Sequence, residues 1–105
     1  MRDFGVLTLA AALLLAAAPA LADVTVEVGH NHFKPTTVTI KKGESVTFHN
    51  VDEMPGGHTV AAVDGSFQSP PLAKDQDYTH KFETPGTVKL KIIQHPNATA
   101  EVIVQ

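Results

Sequence analysis

The sequence contains no cysteine and no tryptophan, and only 8 of its 105 residues are lysine or arginine. Without cysteine, disulfide bonds and every metal centre that depends on a thiolate are excluded. The formal net charge is −3 and basic residues form no run or stripe, so no nucleic-acid partner is expected. No nucleophile, base and orienting acid occur together at an informative spacing, so we do not expect an enzyme.

Long apolar runs are also scarce, and the longest one lies at the N-terminus, over residues 6–18. It follows a short start that carries Arg2 and precedes the small-x-small stretch Ala20-Leu21-Ala22, which is typical of a cleaved secretory signal peptide. A spanning helix needs about 20 apolar residues, although a retained N-terminal anchor is the alternative. We therefore predict a signal peptide over residues 1–22. The remainder, residues 23–105, is predicted to be one periplasmic or secreted domain, monomeric and without a membrane span.

Apolar and polar residues alternate with a period of two in several short stretches of residues 23–105. Val24, Val26 and Val28 alternate with Thr25 and Glu27, which is the pattern of a half-buried strand. Turn residues such as Asp64-Gly65 separate these stretches, and no amphipathic helix is evident. The pattern predicts an all-β, antiparallel sandwich of about seven to eight strands with Greek-key connections.

Histidine is the compositional anomaly of the chain. All six histidines follow the predicted signal peptide: His30, His32, His49, His58, His80 and His95. A small exported domain without disulfides but rich in imidazole fits a metal-binding protein with nitrogen ligands. Histidines scattered over the surface are the alternative, and composition alone leaves both open.

Several motifs, in order and spacing, resemble those of the cupredoxins, particularly the plastocyanin and amicyanin group. The similar segments are Phe33-Lys34-Pro35, Val46-Thr47-Phe48-His49-Asn50, His58-Thr59-Val60, Phe67-Gln68-Ser69, Tyr78-x-x-x-Phe82, Pro85-Gly86-Thr87 and His95-Pro96. The resemblance covers about residues 24–104. It implies a cupredoxin-like Greek-key sandwich, copper as the cofactor, and electron transfer with a periplasmic redox partner.

The resemblance also locates the family's copper ligands, and here the sequence departs from the family. Its first copper-binding histidine corresponds to His58, with Gly56-Gly57 as a two-residue insertion before it. Its cysteine, second histidine and axial methionine fall on Ile92, His95 and Ala98. Both histidine positions are therefore kept and both sulfur ligands are missing, which excludes a blue-copper site because that site needs the thiolate.

Two imidazoles hold a metal loosely, so a third donor is expected. The resemblance places the loop over residues 29–33 beside the metal end of the sandwich, and His30 and His32 would point to the same side if this segment were a strand. The predicted ligands are thus His58 and His95 with His30 or His32, for Cu(II) first and Zn or Ni as alternatives. A solvated polar loop is an equally weighted interpretation of residues 29–33.

Other candidate donors have plainer interpretations. His49 is predicted to face outward, and His80 is predicted to be a buried, hydrogen-bonded core residue beside Tyr78 and Phe82. Met54 could offer a thioether, and Asp52 and Glu53 could offer oxygens to a hard ion, but nothing around them resembles a calcium loop.

The sequence leaves three candidate functions open. The preferred hypothesis is a copper-handling protein that sequesters, delivers or senses Cu(II) through histidines. Its expected partner is a periplasmic copper-handling protein. The second is an electron-transfer protein. The third is a metal-free interaction module, in which Ile92 simply fills the core.

Overall fold

The computed structural model describes residues 23–105, and the predicted signal peptide lies outside these residues. Within them the chain is all-β, which confirms the predicted fold class, and no helix is present that could cross a membrane. The eight strands are β1 (Asp23–Val28), β2 (Phe33–Lys34), β3 (Thr37–Ile40), β4 (Ser45–Asn50), β5 (Val60–Ala62), β6 (Asp77–Lys81), β7 (Gly86–Ile92) and β8 (His95–Val104).

The strands form two four-stranded sheets, in the orders β2-β1-β4-β6 and β3-β8-β7-β5. Each sheet contains one parallel pair, β1 with β4 and β3 with β8, whereas the other pairs are antiparallel. The sandwich is therefore mixed rather than wholly antiparallel as expected. The difference arises because the chain crosses between the sheets, so that strands distant in sequence become neighbours, and strand alternation alone does not reveal this order.

The alternating apolar residues fill the space between the sheets. In the parallel β1–β4 pair, Val26 lies opposite Phe48, and both are buried. Leu90 and Ile92 contribute the equivalent face of β7, and both are at most 1% exposed. Burying a side chain of this size contributes about 1.5–3 kcal/mol, so this alternation is the main source of the stability of the domain.

The junction of β7 and β8 departs from a regular ladder. Lys91 pairs with Thr99, but the next residue, Ile92, pairs with His95. Residues 96–98 are therefore extra residues on β8 and form an irregular bulge directly after His95. Bulges re-aim side chains and are common next to functional sites. This one brings His95 to the end of the sandwich while Ala98 remains buried.

Candidate metal centre

Three of the predicted ligands meet at one end of the sandwich. His30 follows β1, His58 precedes β5 and His95 begins β8. The ring centroids of His30 and His95 are 4.5 Å apart, those of His58 and His95 are 5.6 Å apart, and those of His30 and His58 are 6.0 Å apart. The fold thus gathers imidazoles from three separate segments into one cluster.

His58 is the buried member of this cluster, with a fully inaccessible side chain. Its backbone N–H donates to the carbonyl of Leu72 at 3.0 Å, and the N–H of Leu72 donates back to the carbonyl of His58 at 2.9 Å. The ring Nε2 lies 2.8 Å from Oδ2 of Asp52. The other ring nitrogen, Nδ1, is buried and has no hydrogen-bond partner among the described residues.

His95 is connected to the segment that carries His58 through its neighbour Gln94. The amide of Gln94 accepts from the backbone N–H of Thr59 at 2.8 Å and donates to the hydroxyl of Thr59 at 2.9 Å. Because Thr59 directly follows His58, these bonds connect the β7–β8 turn to the segment that carries His58. Nε2 of His95 is buried, and residues 23–105 offer it no hydrogen-bond partner.

His30 closes the cluster on the solvent side, with a side chain that is 56% exposed. Its Nδ1 lies 3.3 Å from the Asp52 oxygen that also contacts His58. The hydrogen bond to His58 is the main cause that holds the pKa of Asp52 below its ordinary value, and the hydrogen bond to His30 is a smaller cause. This carboxyl group is therefore ionised at neutral pH. One ligand atom from each of His30, Asp52 and His58 lies within 4.8 Å of the others.

Asp52 was considered in the sequence only as an oxygen donor to a hard ion, and its contact with the histidines was missed. Its backbone N–H donates to Oδ1 of Asn50 at 2.9 Å, and the amide of this fully buried Asn50 donates to the carbonyl of Leu72 at 2.6 Å. The Asn-x-Asp spacing is typical of an Asx turn and could have suggested the local part of this arrangement.

The structure places His32 apart from the cluster. Gly29 donates its N–H to the carbonyl of His32 at 2.8 Å, so residues 29–32 form a turn and the alternation expected for a strand does not apply. The His32 ring lies over Gly29, where an added Cβ would be 2.1 Å from Cε1 of the ring. His30, rather than His32, therefore meets His58 and His95.

The positions that correspond to the family's sulfur ligands offer no donor. Ile92 is fully buried in the hydrophobic core and pairs with Val60, and Ala98 is 4% exposed. Neither position can therefore supply sulfur to a metal at this end of the sandwich, and the sequence contains no cysteine that could replace them.

The two remaining histidines lie on β4 and β6. His49 is partly exposed as predicted and contacts Asp77 through Nδ1, with Nε2 3.5 Å from Asp75. The hydrogen bond to Asp77 raises the pKa of His49. His80 is only partly buried, and its ring stacks on Phe67 at a centroid distance of 4.0 Å instead of forming the hydrogen bond that we predicted. Burial lowers the pKa of His80.

A two-sheet Greek-key sandwich with a histidine cluster beside a bulged β7–β8 junction defines a recognisable class of protein. No family profile matches the chain. It is 38% identical over 80 residues to plastocyanin from Scenedesmus fuscus, covering 62% of this chain and 80% of that protein. It is 33% identical over 85 residues to amicyanin-alpha from Methylorubrum extorquens, covering 76% of this chain and 70% of that protein.

The solved structures agree with these relatives. A purple cupredoxin from Nitrosopumilus maritimus superposes with a TM-score of 0.69 at 28% identity, over 79% of this chain and 100% of that chain. The chain belongs to the cupredoxin family, and it is a member without the cysteine ligand.

Proposed function

We propose that this protein is an exported, non-enzymatic copper-binding protein that holds Cu(II) through His58, His95 and His30. Its role would be to sequester, deliver or sense copper in the periplasm. The observation that carries the proposal is a pair of buried nitrogens, Nδ1 of His58 and Nε2 of His95, which have no hydrogen-bond partner within residues 23–105 and lie on rings 5.6 Å apart. A buried polar atom left unpaired costs about 1–3 kcal/mol, and a bound metal would compensate that cost.

The donor set fits this metal. When bound, copper supplies a positive centre that accepts imidazole lone pairs, and neutral imidazole suits Cu(II) as well as Zn(II) and Ni(II). Ile92 and Ala98 contribute no sulfur, so the site would be of the non-blue kind. Two backbone hydrogen bonds to Leu72 hold His58 and the Gln94 bonds hold the segment of His95, whereas His30 is exposed and could leave and rejoin the ion. Such a site suits exchange of copper with a periplasmic copper-handling partner.

Electron transfer is the second candidate, because the relatives include proteins named plastocyanin and amicyanin. The missing thiolate argues against it, since a histidine-only copper site reorganises more on reduction than a site with cysteine. A metal-free interaction module is the remaining alternative, and the experiment below separates it from the proposal.

Calorimetric titration of the metal-free protein with Cu(II) tests the proposal. We expect one equivalent to bind, His58→Ala and His95→Ala to weaken binding at least about tenfold each, and His30→Ala to have an intermediate effect. His49→Ala is the matched control on the surface of β4, and His32→Ala tests the other histidine of the same loop. Circular dichroism of each variant confirms folding.

Two results would overturn the proposal. Absence of Cu(II) binding would favour the metal-free module, and unchanged affinity in His58→Ala would place the metal elsewhere. If His58→Ala does not fold, His95→Ala alone decides, because His95 is only partly buried and its loss leaves the core intact.

A further inference from the structure

A single carboxylate oxygen contacts two of the three clustered imidazoles. Oδ2 of Asp52 lies 2.8 Å from Nε2 of His58 and 3.3 Å from Nδ1 of His30. An ionised carboxylate only accepts hydrogen bonds, and each of its oxygens has two lone pairs. Both imidazoles must therefore donate, so His58 carries its proton on Nε2 and His30 carries its proton on Nδ1.

The second nitrogen of each ring is then fixed as well. In the neutral form of His58, the proton on Nε2 leaves the lone pair on Nδ1, which is buried and has no hydrogen-bond partner among the described residues. In the neutral form of His30, the lone pair lies on Nε2.

The backbone that carries this carboxylate is held by a connected set of hydrogen bonds. Asp52 donates its backbone N–H to Asn50, Asn50 donates its side-chain amide to Leu72, and Leu72 pairs with the backbone of His58. The side chain of Asp52 is 27% exposed, so it is not a freely moving surface group. By contrast, the neighbouring Glu53 is 80% exposed and lies 3.6 Å from Lys74.

We propose that Asp52 is the positioning residue of the cluster, which fixes the tautomers of His58 and His30 and leaves a lone pair on Nδ1 of His58 and on Nε2 of His30 for the metal. Histidine ligands commonly donate their other N–H to a carboxylate, and this contact raises their basicity. The claim that these lone pairs bind the metal rests on the proposed function. The claim that Asp52 fixes the tautomers concerns the metal-free protein.

The negative charge has a further consequence for the ion that is bound. An anion hydrogen-bonded to two ligands interacts more strongly with a doubly charged than with a singly charged ion. Asp52 thus favours Cu(II) over Cu(I), and the site is expected to hold the oxidised ion.

Long-range proton–nitrogen NMR correlations on the metal-free protein with labelled histidine test the tautomers directly. At pH 8 we expect His58 in the Nε2–H form and His30 in the Nδ1–H form. Asp52→Ala removes the acceptor, so His30 should become a mixture of both tautomers, and Glu53→Gln is the matched control that leaves both unchanged. A wild-type protein with the proton on Nδ1 of His58 or on Nε2 of His30 would overturn the assignment.

Copper affinities measured by competition with chromogenic chelators test whether Asp52 supports metal binding by His58 and His30. Asp52→Asn should lower the Cu(II) affinity about 10- to 100-fold and the Cu(I) affinity less. Equal loss for both ions would overturn the preference for Cu(II), and no loss would overturn the positioning role. If Cu(II) binding is lost while Asp52→Asn retains both tautomers, Asp52 is a ligand instead.

The NMR experiment and the copper-affinity measurements also distinguish this inference from the proposed function. If the NMR result holds and no copper binds, the proposed function fails and the tautomer assignment stands. If copper binds through the histidines but the tautomers do not depend on Asp52, only the present inference fails.

Discussion

His58 and Leu72 are joined by two backbone hydrogen bonds, of 3.0 and 2.9 Å, in an isolated antiparallel bridge outside the strands. The same Leu72 carbonyl accepts a hydrogen bond from the side chain of Asn50. Gly57, directly before His58, has a φ of +73°, and a Cβ at this position would lie 2.6 Å from the Leu72 carbonyl oxygen. The burial of the His58 ring therefore depends on a residue without a side chain.

The first prediction compares the two adjacent glycines. Gly56 has a φ of +87°, and no atom of the described residues lies within 4 Å of an added Cβ, so Gly56→Ala should cost only the backbone strain, about 1–2 kcal/mol. Gly57→Ala adds the clash with the backbone of Leu72, so it should destabilise more and also weaken Cu(II) binding. Urea unfolding and copper titration measure the two effects. Equal behaviour of the variants would mean that the loop moves to accommodate the Cβ.

The second prediction concerns the absorption spectrum. With one equivalent of Cu(II), the protein should be pale, without the intense visible thiolate band that a site with two histidines and a cysteine produces. The reason is that no cysteine is available anywhere in the chain. An intense band in the visible region would contradict the interpretation of the site.

The third prediction concerns His49 and high pH. The Asp77 hydrogen bond raises its pKa in the folded protein above the ordinary 6.5, so the protonated form is favoured by folding. This contribution is fully present below about pH 6.5 and is lost as the pH rises through the folded pKa. His49→Gln should remove that part of the pH dependence of the unfolding free energy. An identical pH profile in the variant would show that the Asp77 contact does not stabilise the protein.

The fourth prediction has the opposite sign and concerns His80. Burial against Phe67 lowers its pKa below 6.5, so folding favours the neutral ring. This contribution is present above about pH 6.5 and is lost as the pH falls through the folded pKa. His80→Phe keeps the aromatic stack and has no proton to bind, so its stability should fall less between pH 7 and pH 5. A wild-type slope in His80→Phe would assign the acid sensitivity to other groups.

Which features of the fold and of the candidate site could be predicted from the sequence depends on how far apart in sequence the interacting residues lie. Alternation of Val26 and Val28 with polar residues is local, so it predicted the buried face of β1 correctly. The correspondence of Ile92, His95 and Ala98 to the family's ligand positions came from the resemblance. The structure places all three residues at the bulged junction. The Asp52–His58 contact depends on the bond from Asn50 to Leu72, 22 residues away in sequence, which no local pattern contains. The turn at residues 29–32, which separates His30 from His32, could not be told from an extended segment, because polar residues tolerate both conformations.

The last prediction tests the fold and the site together by restoring sulfur. Ile92 pairs with His95 at the junction and with Val60 on the neighbouring strand, two residues after His58. Side chains two residues apart on a strand share a face, so Ile92 lies on the side of β7 that faces the histidine cluster. The double change Ile92→Cys and Ala98→Met would then supply a thiolate and a thioether beside His58 and His95.

In the metal-free protein Ile92→Cys removes apolar volume and should by itself cost about 1–2 kcal/mol, as other core shortenings do. With Cu(II), it should become blue or green and gain the thiolate band. We expect a distorted, greenish site, because Gly56 and Gly57 lengthen the loop that presents His58. Leu90→Cys is the matched control: it is 1% exposed on the same face, but lies about 6–7 Å further along the strand, so its thiol should not reach the metal. A folded double variant that binds Cu(II) without thiolate absorption would mean that Ile92 does not face the ion, and that the metal lies on the outer side of His58 with Asp52.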